Sequence, residues 1–270
     1  RMPRPAAWIT GPGVINPNEK SWQEESVRYA FVDSLENLRD NISGHGNLER
    51  FDYWLNTFKY LRAVGQLGCI RGELDKRMKD LSACPPSEQK AFIADRILPI
   101  RIQLARTWEE MMGYLILTVN TTGELGTVIN LESQTRKTYA FLNKYDSSLE
   151  SISGQKLPSS VNLSKTYAGT PRLFVLNERN TLEKGEVYTL KLHVSGAEKM
   201  EKEPVLYYRE LGKKKFKKMM MERKSDSYFE VQAPNRENRT LEYYIEAKFS
   251  TQTVRYPASA PQCNHTWVYY

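Results

Sequence analysis

Residues 187–194 read Val187-Tyr188-Thr189-Leu190-Lys191-Leu192-His193-Val194, and their alternation decides the class of the second half of the chain. Successive side chains of an extended strand point to opposite faces, so Tyr188, Leu190, Leu192 and Val194 share one face and Thr189, Lys191 and His193 the other. An apolar face backed by a polar one is the pattern of a half-buried strand. It also directs His193 outward.

Runs of similar character lie on both sides, at 172–176, 205–209, 216–221, 228–232, 241–249, 253–256 and 266–270. So many short strands in about 100 residues predict an all-β sandwich of immunoglobulin-like or fibronectin-III-like kind over 171–270. A Cys-Trp-Cys core is missing, which excludes an antibody-type domain. Upstream, 151–170 is read as a linker, because 157–170 is rich in Ser, Pro, Gly and Thr and loses helical period.

Before the linker the period changes to that of a helix. Pro3, Pro5, Gly11, Pro12, Gly13 and Pro17 make 1–18 an irregular lead-in, and Ser21-Trp22-Gln23-Glu24 has capping-box spacing, so a first helix is expected from there. Val27, Phe31, Leu35, Leu38 and Ile42 form its apolar stripe, and Gly44-His45-Gly46 breaks it. A second helix is expected over 47–81. Gly65, Gly68 and Gly72 share one of its faces, and each costs ~1 kcal/mol of helix propensity, so the face predicts close helix packing. Ser87 is the expected N-cap of a third helix to Val119, bent at the internal Pro99. Val128, Leu131, Thr135, Leu142, Tyr145 and Leu149 outline a fourth. The fold class expected is therefore α and β in separate modules: an all-α, bundle-like domain of about four long helices over 19–150, then the sandwich.

Composition limits the function classes. The chain has 270 residues, long enough for two cores, and its longest apolar run, 111–119, is far short of the ~20 residues a spanning helix needs, so no membrane span is expected. The net charge is +7. Residues 1–160 carry 20 basic and 19 acidic side chains and 161–270 carry 19 and 13, so the excess lies in the β half, much of it at Lys213, Lys214, Lys215, Lys217 and Lys218. A lysine run leading into a hairpin edge reads first as protection against edge pairing and second as a phosphate-binding patch; nucleic acid is not the expected partner. Cys69, Cys84 and Cys263 are too widely spaced for a disulfide framework or a zinc site, and no cofactor is expected. The chain begins at Arg1 without Met, which is read as a segment missing upstream.

For chemistry, His45, His193 and His265 lack metal-ligand spacing, and no phosphate loop, dinucleotide fingerprint or nucleophile elbow occurs. The cluster that draws attention is Asp52, Tyr53, Trp54 and Asn56, with Tyr60 and Arg62 further along the helix. Rings beside planar polar groups suit sugars, whose faces stack on aromatics while hydroxyls pair with amides and carboxylates. Burial in a helical core is the competing and commoner reading of aromatics at that spacing. Glu109, Glu110, Glu124 and Glu132 are the carboxylates from which a glycosidase pair would be drawn, although surface solvation explains them more simply.

Two stretches carry a resemblance. Phe51-Asp52-Tyr53-Trp54-Leu55-Asn56-Thr57-Phe58-Lys59-Tyr60-Leu61-Arg62, and Leu241-Glu242-Tyr243-Tyr244-Ile245-Glu246-Ala247 with Arg255-Tyr256-Pro257-Ala258 and Ala260-Pro261, resemble the C-terminal region of large bacterial glycoside-hydrolase-like proteins directed at polysaccharides. The resemblance implies an order of catalytic barrel, helices and β-sandwich, with an upstream catalytic domain of the same polypeptide and a polysaccharide as partners, and a secreted or periplasmic location. The barrel is not in this chain, so no catalytic residue carries over. The function expected is an ancillary, non-catalytic region. A stand-alone carbohydrate- or protein-binding module and a glycoside hydrolase with its site among the helices are the alternatives.

Overall fold

A computed structural model of the chain describes residues 6–7, 14–164, 169–234 and 239–270. Pro3, Pro5, Gly11, Pro12 and Gly13 of the lead-in, and 165–168 of the expected linker, lie outside the described residues. A helical region is followed by a region of two β-sheets, as the change of period predicts. Two compact units result, Arg1–Ile42 with Phe51–Val119 and Gly123–Lys165, and Ser43–Arg50 with Asn120–Thr122 and Thr166–Tyr270.

The helical unit is organised by the long helix α3, His45–Ala83. Its glycine face packs closely, but against extended chain rather than another helix. Strands β1 (Ala6–Ala7) and β2 (Val14–Ile15) pair antiparallel, and the chain leaving β2 lies along the glycines. A Cβ on Gly68 would stand 2.9 Å from the Asn16 carbonyl oxygen, and one on Gly72 only 1.8 Å from that of Asn18. A Cβ on Gly65 would strike the Tyr29 hydroxyl at 2.5 Å. The close approach lets Asn18 N–H donate to the Gly68 carbonyl (2.8 Å), while Arg71 donates to the Ile15 carbonyl. Ile15 itself is buried in the helical core.

The first predicted helix breaks into pieces: α1 (Trp22–Glu25), a 3-10 turn (Ser26–Tyr29), α2 (Phe31–Asn37) and a second 3-10 turn (Arg39–Asn41). The capping box forms, with Glu24 N–H donating to Ser21 Oγ (3.3 Å) and Ser21 N–H to the Glu24 carboxylate (3.0 Å). The expected stripe is covered only in part, at Leu35 and Ile42. The tighter 3-10 turn advances the side chains by a different angle, so Tyr29 and Val32 face inward while Val27, Phe31 and Leu38 are 73%, 42% and 52% exposed.

The third helix starts as α4 (Pro86–Phe92), with Pro86 rather than Ser87 setting its beginning, since proline's fixed φ and missing N–H suit a first turn. It then widens into a π-helical turn (Ile93–Ile97) immediately before α5 (Leu98–Thr118), whose first turn holds Pro99. The wider turn accommodates the proline ring and its absent donor. The fourth helix is interrupted: α6 (Thr122–Asn130) passes into a π-helical stretch (Leu131–Thr138) and then turns, with Ala140 at φ +47°, before α7 (Asp146–Ser153). Leu131, Thr135, Leu142 and Leu149 are nevertheless all buried, so the apolar stripe survives the break. Arg101 of α5 is buried and satisfied, giving two bonds to Asp146 (2.8 and 2.9 Å) and one to the Val161 carbonyl (3.2 Å).

The β unit has two sheets. One runs in the order β4 (Thr181–Leu182), β12 (His265–Tyr269), β10 (Leu241–Lys248), β6 (Val205–Glu210), β7 (Lys217–Met220), with β11 (Thr253–Tyr256) also on β10. The other runs β3 (Arg172–Val175), β5 (Thr189–Ser195), β9 (Tyr228–Gln232), β8 (Glu222–Ser225). Tyr188, Leu190, Leu192 and Val194 are all buried and join Leu206, Phe229, Tyr243, Ile245 and Trp267 in one core drawn from both sheets. Trp267 lies over Tyr243 at 3.8 Å. His193 sits on the outer face as expected, but Phe174 on the neighbouring strand stacks on it at 5.9 Å, and burial lowers its pKa. Strands β4 and β8 have no counterpart in the sequence reading. The first is two residues long, and every side chain of the second is exposed, so neither alternates.

Gly72→Ala is expected to cost at least the ~1–3 kcal/mol typical of overpacking, because the clash is with backbone that cannot rotate away. Gly113→Ala in α5, where nothing lies within 4 Å, should instead stabilise by ~0.5–1 kcal/mol through helix propensity. Chemical denaturation followed by far-UV circular dichroism checks both; equal effects of the two changes would contradict the packing described.

Candidate functional site

The six residues singled out from the sequence all lie on α3, and the structure divides them. Asp52 accepts two bonds from Arg39 (2.7 and 2.9 Å), and Asn56 spends its amide N–H on the Asp52 carbonyl one turn back (2.7 Å). Tyr60 is half-buried against the helical core, where burial raises its pKa. Tyr53 meets Trp54 edge-on at 5.3 Å. None of Asp52, Asn56 and Tyr60 is thereby presented as a ready ligand group.

Trp54 and Arg62 belong to a different arrangement, because residues four apart on a helix form one row. Trp54, Phe58 and Arg62 occupy that row. Trp54 is 57% exposed and stacks on Phe58 at 6.2 Å, and Phe58 meets Phe31 of α2 edge-on at 5.2 Å. Arg62 ends the row with an ion pair to Asp33 of α2 (2.6 Å). The result is an aromatic strip in which exposed Trp54 and Phe31 flank the half-buried Phe58, with a charged pair at one end. Sequence reasoning assigned Phe31 and Phe58 to the core; Phe58 does pack on the Tyr29, Val32 and Leu55 cluster, whereas Phe31 is exposed. The signal that separates them is the uncovered side of α2, which depends on the 3-10 turn before it.

Glu109, Glu110 and Glu132 each have a partner. Glu109 accepts from the Ser164 N–H, and Glu110 from the Tyr114 hydroxyl (2.8 Å). Glu132 accepts from Trp108 Nε1 (3.3 Å) and pairs with Arg136. Among the described residues, no group of three His, Cys, Asp or Glu side chains is placed to hold a metal ion.

A cluster in the β unit escaped sequence reasoning because its members are distant in the chain. Glu178 accepts from His265 Nδ1 (2.8 Å) and from the Tyr256 hydroxyl, and the Tyr256 and His265 rings stack at 4.9 Å. The bond from His265 holds the Glu178 carboxyl below its ordinary value, while burial and Glu178 push Tyr256 up. On the opposite face of β10, Glu242 accepts from Arg209 (2.7 Å) and Asn264 (2.8 Å), and is likewise lowered, chiefly by Arg209. One ties the loop between β3 and β4 to β12, the other joins β6 to β10, and both hold their carboxylates toward the ionised form.

Neither a protein-family model nor a curated protein matches the chain.

Glu178 and Glu242 generate a pH prediction. A carboxylate with a depressed folded-state pKa contributes stability that is present above its ordinary value, 4.5, and is lost as pH falls through the depressed one. The β unit should therefore lose stability below about pH 4.5. Glu178→Gln should lower the melting temperature at neutral pH and flatten the acid decline. Calorimetry from about pH 7 to about pH 3 measures both, and an unchanged acid slope in the variant would remove Glu178 as a cause.

Proposed function

We propose that this chain is an ancillary, non-catalytic region of a polysaccharide-degrading glycoside hydrolase, and that the Trp54-Phe58-Phe31 strip contacts the polysaccharide. The strip is the observation that carries the reading. Folded chains seldom leave a tryptophan and a phenylalanine in water on either side of a half-buried ring, since burying each would return ~1.5–3 kcal/mol, so the exposure points to a ligand that covers them. A pyranose presents C–H groups on one face and hydroxyls at its edge; the rings take the first, and the Arg62–Asp33 pair at the end of the strip takes the second.

The β unit supports the same reading as a spacer or brace. Its strand orders, with β12 parallel to β4 at one edge and the chain crossing sheets between β7 and β8, fit an immunoglobulin-like sandwich. The carboxylates described argue the same way. Among the described residues each carboxyl with a resolved shift moves downward, whereas a glycosidase acid must be held protonated. A secreted or periplasmic location belongs to this proposal.

One observation favours a second reading. Val27 and Leu38, before and after Phe31, are also exposed, and aliphatic side chains suit a protein surface, here an upstream catalytic domain of the same polypeptide.

Affinity electrophoresis through a panel of neutral and acidic polysaccharides separates the readings. At least one polymer should retard the chain, Trp54→Ala should abolish the retardation without changing the melting temperature, and no reducing ends should be released. Retardation by no polymer would replace sugar contact with the docking role. Glycan hydrolysis by the purified chain would overturn both.

A further inference from the structure

At the end of the β6–β7 hairpin, Tyr208, Arg209, Glu210, Lys213, Lys215, Lys217 and Leu241 line a cleft of about 230 Å³. The charge around it is one-sided. Three lysines and Arg209 line it beside a single carboxylate; Glu210 is already paired with Arg239, and Arg209 turns to Glu242 on the other face of the sheet. The ion pairs found among the described residues use none of Lys213, Lys215 and Lys217, and all three are exposed. Among the described residues, three lysines without an ion-pair partner therefore line one opening.

The hairpin is held rather than loose. Gly212 turns the chain at φ +83°, and Lys213 N–H donates to the Glu210 carbonyl (3.0 Å). Arg209 stacks over Phe216 at 4.1 Å and donates to the Lys214 carbonyl (3.1 Å), which fixes the backbone from which the lysines spring. Lys217 stands opposite Tyr208 in register and Leu241 opposite Glu210, so these four side chains share the sheet face that carries the core. A single inward lysine is enough to protect an edge strand such as β7; three around a cleft floored by buried Leu241 exceed that need.

We propose that this cleft binds the anionic group, carboxylate or sulfate, of an acidic polysaccharide. Its volume is below the ~300–1,000 Å³ of pockets that enclose a whole small ligand, so it takes one charged group or one sugar ring of a longer chain. Mobile lysine ammoniums suit either anion without a fixed fork geometry. Nucleic acid is the poorer fit. Its affinity comes from many phosphate contacts spread along a track, whereas these lysines line one small cleft. The neighbouring rings Tyr207, Tyr244 and Phe216 pack on one another and on Arg209 rather than standing in a row along the cleft. That the anion is carried by a sugar rests on the polysaccharide reading above; the cleft itself is separate from Trp54.

The test is binding of the full chain to polygalacturonate, chondroitin sulfate, neutral dextran and a single-stranded oligonucleotide, by microscale thermophoresis at about 150 mM salt, where long-range attraction is screened. At least one acidic polysaccharide should bind and dextran should not. The triple variant Lys213→Ala/Lys215→Ala/Lys217→Ala should weaken that binding about tenfold or more, as expected for losing charge-assisted contacts, and the triple Lys→Arg variant should restore it. Polygalacturonate against chondroitin sulfate distinguishes carboxylate from sulfate. Trp54→Ala should retain the lysine-dependent binding, so failure of the aromatic strip leaves this result standing. Binding of neither acidic polymer, an alanine variant that folds and binds as the parent does, or equal lysine-dependent binding of the oligonucleotide would overturn the proposal.

Discussion

Backbone against backbone at Gly68 and Gly72 is the constraint on which the helical unit depends. The Asn16 and Asn18 carbonyl oxygens occupy the space where side chains would stand on α3, and in return Asn18 N–H reaches the Gly68 carbonyl. With the chain clamped there, Ile15 enters the core and Ser21 is set where its capping box starts α1. Tyr29, seated on Gly65, then directs which face of the following segments turns inward. The helix-propensity cost of three glycines is thus offset by an approach that no other residue permits.

Seating Tyr29 has a consequence on the other side of the same segment. A chain that turns Tyr29 and Val32 inward must turn Val27 and Phe31 out, because a short helix has only one inward face. The aromatic strip on α2 and α3 is therefore the outward expression of the glycine packing beneath it. The two features lie on opposite sides of one folding constraint, which explains how an apolar pattern so regular in sequence comes to face solvent.

The β unit shows a similar division between the two faces of one sheet. Arg209, Glu242, Tyr207 and Tyr244 lock the outer face through an ion pair and stacked rings, at 2.7 Å and 4.8 Å respectively. The inner face is apolar through Leu206, Tyr243 and Ile245 and turns cationic only at its end, with Lys217. Charge at that end is tolerable because the core has run out there and water reaches the ammonium groups.

Local periodicity sufficed for much of the fold. The change from helix to strand, the strands at Tyr228–Gln232 and Thr253–Tyr256, the capping box at Ser21 and the buried alternation from Tyr188 to Val194 depend on neighbours in the chain, and sequence spacing records those directly. The strip was legible only in part. Trp54 and Arg62 stand out in the sequence and Phe58 packs on the core as its spacing reads, but Phe31 also reads as core, since nothing local says which face of a broken helix will be covered. What packs on the glycine face, where Glu178 meets His265 and Tyr256, and how three lysines come to surround one cleft were decided by tertiary structure alone. Each joins groups whose separation in space has no counterpart in their separation along the chain, and only the closing of the cores brings them together.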